Sequence, residues 1–168
     1  MHYTSWDRSD VDRPVLLAEG GPEVLARFGK DTAEVDGATW TLVFDAASGA
    51  TATLIDVPVL TAEANFKKDK SIPVNIGTRS FVLVNEASNN WIIDDENGNK
   101  VAQFSGGNNG VRQAILEFEG ETDLPRDAVV GLSWMARLLL EQRLSRSSTA
   151  VIATLALMTL AAILAFLF

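Results

Sequence analysis

The chain has 168 residues, 47% of them hydrophobic, with 22 acidic against 14 basic side chains, for a net charge of −8. That acidic balance argues against a general nucleic-acid binder, which carries a basic footprint. The absence of cysteine excludes disulfides, thiolate metal sites and thiol nucleophiles.

Residues 1–14 open polar and acidic, with no basic segment leading into an apolar run, and are read as a flexible leader without a secretory signal. From Val15 onward, short β-branched and aromatic runs alternate with turn formers. Val24–Phe28 ends at Gly29-Lys30-Asp31. Thr32–Val35 is followed by Asp36-Gly37, a two-residue hairpin signal. Ala38–Phe44 alternates, with Trp40, Leu42 and Phe44 on one face and Thr39, Thr41 and Val43 on the other. Runs at Thr51–Ile55, Val59–Phe66, Val74–Ile76 and Phe81–Asn85 continue the series. Trp91–Asp94 and Val101–Phe104 flank a second hairpin signal, Asn97-Gly98. Ser105–Gly110 then leads into Val111–Phe118. Ten to eleven strands at this spacing predict a mainly β fold, an antiparallel barrel or sandwich. The domain is expected over residues 15–144.

After Asp123 the period changes. Asp127 can cap a helix over Ala128–Leu144 whose apolar residues cover most of its circumference, so it must be buried nearly all round. It is expected to thread or pack across the barrel. Residues 145–149 form a linker, and Ala150–Phe168 carries no charge, proline or glycine. Nineteen such residues extend about 28 Å as a helix, close to the ~30 Å hydrocarbon core of a bilayer. The prediction is a single-pass C-terminal anchor. Arg137, Arg143 and Arg146 precede the apolar run as membrane-flanking cations, which places the β domain on the cytoplasmic side.

Many short strands, the segments Phe81–Asn85 and Trp91–Ala102, and the apolar helix Ala128–Leu144 resemble the tubby C-terminal-like superfamily, in its scramblase-like and LURP-one-related branch. That resemblance implies a twelve-stranded barrel around a central helix and a lipid-associated or regulatory role. In that fold the last helix fills the barrel, so either Ala128–Leu144 is the filler and the tail an anchor, the preferred reading, or the tail fills the barrel.

Little in the chain suggests chemistry. His2 is the one histidine, which leaves the usual metal and triad constellations unbuilt. Asp94–Asn99 lacks the first carboxylate and terminal glutamate of a calcium loop and reads as a hairpin turn. Ser105–Gly110 lacks the Lys-Ser/Thr pair and following helix of a phosphate cradle. Lys67, Lys68 and Lys70 form the densest positive patch, which reads first as a solvated loop and otherwise as the candidate contact for anionic lipid headgroups. The expected function is a non-enzymatic, cofactor-free module that responds to lipid or binds a partner at the bilayer. The alternatives are a scramblase-like lipid mover and a hydrolase or transferase with a carboxylate site.

Overall fold

The computed structural model describes residues 1–87, 90–106 and 115–167, with the backbone alone for 143–153, 156 and 160–167. Twelve antiparallel strands close into one barrel, each paired with its neighbour in sequence, and β1 pairs β12 to complete the ring. The strands are β1 (Tyr3–Asp7), β2 (Val15–Ala18), β3 (Val24–Phe28), β4 (Thr32–Val35), β5 (Ala38–Asp45) and β6 (Gly49–Leu54), followed by β7 (Val57–Glu63), β8 (Ser71–Ile76), β9 (Arg79–Ala87), β10 (Asn90–Asp95), β11 (Lys100–Ser105) and β12 (Leu116–Phe118).

Period-two alternation sorts side chains between interior and solvent. In β5, Trp40 and Leu42 are buried while Val43 on the opposite face is exposed. The two hairpin signals form the expected turns. Asp36 and Gly37 both take positive φ between β4 and β5, and Gly98 does so between β10 and β11. Gly49, at φ 135°, could not carry a side chain, because a Cβ there would lie 2.0 Å from the Ala62 carbonyl oxygen.

The chain from Arg126 to Leu167 is a single helix, α1. Its segment from Ala128 to Leu140 fills the barrel, with Leu132, Met135 and Leu139 fully buried among strand residues such as Leu60, Leu83 and Ile93. At Gly131 the helix meets the wall so closely that a Cβ would sit 2.8 Å from both Leu60 Cδ1 and Ile76 Cδ1. The barrel filler is therefore the first helical segment. Leu155, Leu157 and Met158 lie outside the barrel, 59–68% exposed. Thr159 returns its hydroxyl to the Leu155 carbonyl at 2.9 Å.

Three boundaries differ from the sequence reading. The supposed leader 1–14 contains β1, which pairs with β2 and β12 and closes the barrel. Its disguise is chemical: Thr4 and Ser5 are buried polar residues in a polar stretch. The domain accordingly starts at Tyr3 and not at residue 15. Residues 145–149 are no linker, because α1 continues through them, as the absence of Gly and Pro there permits. Among the described residues, no helix is long and apolar enough to cross a membrane. The side chains of 160–168, on which much of the predicted anchor depends, lie outside the described residues, as do 107–110 of the glycine-rich segment and 111–114 of the predicted run Val111–Phe118, of which Leu116–Phe118 forms β12.

Candidate functional site at the barrel mouth

Antiparallel strands send alternate turns to opposite ends of a barrel. The helix begins at one end, here called the base, where Arg126 pairs with Glu23 at 2.8 Å and Asp36 at 3.1 Å. It leaves by the other end, the mouth. There Arg137 lies 4.8 Å over the Trp6 ring and donates to Glu141 at 3.0 Å, and Glu141 also pairs with Arg8.

The loops at the two ends differ in charge, although Arg79, Lys100 and Arg126 also lie at the base and Asp7, Asp45, Glu63 and Glu86 at the mouth. The base turns contribute Glu19, Glu23, Asp36, Asp56, Glu96, Glu119, Glu121 and Asp123, and no lysine or arginine. The described mouth turns contribute Arg8, Arg13, Lys30, Lys67, Lys68 and Lys70 against Asp10, Asp12, Asp31 and Asp69. Sequence reasoning identified the lysines but could not assign them to an end of the barrel, since that requires the full order of strands.

The lysine turn joins β7 to β8 and is built from within. Phe66 is fully buried, edge-on to Phe44 with ring centroids 5.1 Å apart, and its N–H donates to the Ala46 carbonyl. The Asn65 carbonyl accepts from the Lys68 and Asp69 N–H groups, and the Asn65 side chain accepts from the Lys67 N–H. Asp69 turns its carboxylate inward to accept the Asn65 N–H at 2.8 Å. Asp69 holds the turn in this way, Lys67, Lys68 and Lys70 are exposed, and the Lys67 charge acts on Asp45 in the neighbouring β5–β6 loop. A buried aromatic below and three outward cations above make a cationic surface turn with a fixed root.

The other predicted site residues are placed less simply. Arg137 is largely buried in the mouth, where its cation packs on an aromatic face and pairs with a carboxylate. The side chains of Arg143 and Arg146 lie outside the described residues, although both belong to α1 on the mouth side. His2 lies beside β1 at the base, with its N–H donating to Glu19. Asp95 is the keystone of its turn, accepting the Asn97 and Asn99 N–H groups. Those bonds hold its carboxyl below the usual value, the Asn99 N–H most of all. Asp45 is held low likewise, first by the Ser48 hydroxyl and then by the Ala47 and Ser48 N–H groups. Among the described residues, no three His, Asp or Glu side chains converge as a metal site.

No protein-family model, curated protein or solved structure matches the chain.

Proposed function

We propose that the chain is a membrane-tethered, non-enzymatic β-barrel module that reads anionic lipid, with its mouth turned to the cytoplasmic face of a bilayer. The observation that carries this reading is the coincidence at one end of the barrel: the helix leads toward the uncharged 150–168 stretch through the mouth, and the lysine turn sits on that same mouth. The base loops are acidic and the lysine turn is a local concentration of cations at the mouth, so an anionic leaflet attracts the barrel by that turn. Beyond Gln142, α1 continues for 25 residues, about 38 Å, enough to carry an apolar segment across the hydrocarbon core. Tethering keeps the domain within a Debye length of the headgroups, so even weak contacts act at high effective concentration.

The tubby-like resemblance of Phe81–Asn85, Trp91–Ala102 and the helix Ala128–Leu144 belongs to this proposal, since it implies a barrel of this kind. The test is binding of a chain ending at Ser147 to phosphatidylserine liposomes at low salt. Binding is expected, and Lys67→Glu/Lys68→Glu/Lys70→Glu abolishes it. Unchanged binding by the triple variant removes the lysine turn from the reading.

A further inference from the structure

We infer a second lipid contact, resting on the membrane reading above: an outer groove beside the mouth that takes an anionic headgroup bearing phosphate, carboxylate and ammonium groups, the chemistry of phosphatidylserine. The groove has a volume of about 440 Å³ and is lined by Arg13, Arg27 and Glu34, with Thr32 and the Gly29 backbone at its mouth end. Arg27 pairs with Val15 across β2–β3 and with Glu34 across β3–β4. Arg13, in the bend that leads into β2, lines the same groove as Arg27. Both arginines are exposed, and among the described residues neither guanidinium has an ion-pair or hydrogen-bond partner. Glu34 is likewise exposed and bonds neither of them.

Two unpaired guanidiniums and one carboxylate are the charge complement of a headgroup with two anions and one ammonium. Arginine is the side chain suited to both phosphate and carboxylate, because its planar fork donates two parallel bonds. A glycerol headgroup offers phosphate but nothing for Glu34, so the groove favours phosphatidylserine over phosphatidylglycerol. In strand order the groove lies beside the β1–β2 and β3–β4 loops, three and two mouth loops around the ring from the lysine turn. Contacts on two sides of a central helix hold the barrel upright, with its mouth parallel to the bilayer.

The absence of cysteine allows single labels in the full chain. Ser9→Cys reports on the groove side and Ala47→Cys on the lysine side, each carrying a fluorophore quenched by spin-labelled headgroups in nanodiscs. With phosphatidylserine in the disc, both labels are quenched. With an equal fraction of phosphatidylglycerol, quenching at position 9 falls and that at 47 stays. Arg13→Glu/Arg27→Glu lowers occupancy of the groove roughly tenfold per arginine, the worth of one basic side chain at an anionic leaflet, and again spares position 47. Glu34→Gln equalises the two lipids at position 9. Equal quenching at position 9 by both lipids in the otherwise unaltered chain, or indifference to the arginine reversal, overturns the proposal. A chain that never enters the disc removes the tether as well, whereas an inserted chain with an unresponsive position 9 removes only the groove.

Discussion

Thr4 Oγ1 and Ser133 Oγ lie 2.8 Å apart in the sealed interior, joining the strand that closes the barrel to the helix that fills it. Ser133 donates onward to the Val129 carbonyl at 2.7 Å, which leaves Thr4 as the donor to Ser133. Ser133→Ala strands the Thr4 hydroxyl and is expected to cost about 1–3 kcal/mol. Thr4→Val with Ser133→Ala removes both partners and should cost clearly less than the sum of the single changes. Denaturant unfolding of the four proteins measures the coupling. Strict additivity would mean that the two hydroxyls do not depend on each other.

Gly131 sets how closely α1 approaches β7 and β8. Gly131→Leu must displace Leu60 and Ile76, which are themselves buried, and is expected to lower stability by about 1–3 kcal/mol through overpacking. A shift of the thermal midpoint within error of the unaltered chain would show that the helix has room at this wall.

Ile55 and Asp56 both adopt left-handed φ, 49° and 63°, in the β6–β7 turn, and Ile55 is 88% exposed. A β-branched residue is strained there, where Asn-Gly is the favoured pair. Ile55→Asn is expected to raise stability by about 1 kcal/mol, since little burial is lost and the strain is relieved. A loss of stability would show that Ile55 contributes a contact that its exposure does not reveal.

Asp45 and Asp95 titrate below the usual carboxylate value in the folded chain because their turns donate hydrogen bonds to the charged form. A carboxyl depressed by folding adds stability that is complete above its unfolded value, about 3.8, and is lost as the pH falls through the folded one. Asp95→Asn should therefore flatten the fall in stability at acid pH while leaving the neutral-pH slope unchanged. An identical acid limb in the variant would contradict the turn's role.

Much of the barrel was legible because its signals are local. Trp40 and Leu42 fall on one face by simple alternation, and Asp36-Gly37 and Asn97-Gly98 announce turns by their tolerance of positive φ. What escaped was non-local. β1 looked like a leader because its buried Thr4 is satisfied by a residue 129 positions away. The Ile55-Asp56 turn lacks the glycine that would mark it. The lysine turn was visible as composition, but its gathering with Arg8, Arg13 and Lys30 at the helix mouth follows only from closure of the ring. Arg137 likewise looked like a flanking cation, and its place against Trp6 depends on helix and strand meeting at that mouth.

α1 fills the barrel with its first turns, and on the proposed reading it gives its last ones to lipid. Alkaline carbonate extraction of membranes, comparing the full chain with one ending at Ser147, tests this most directly. The full chain should stay in the membrane pellet, and the shortened chain should be released and unfold cooperatively on heating. Release of the full chain, or a shortened chain that cannot fold, would contradict it.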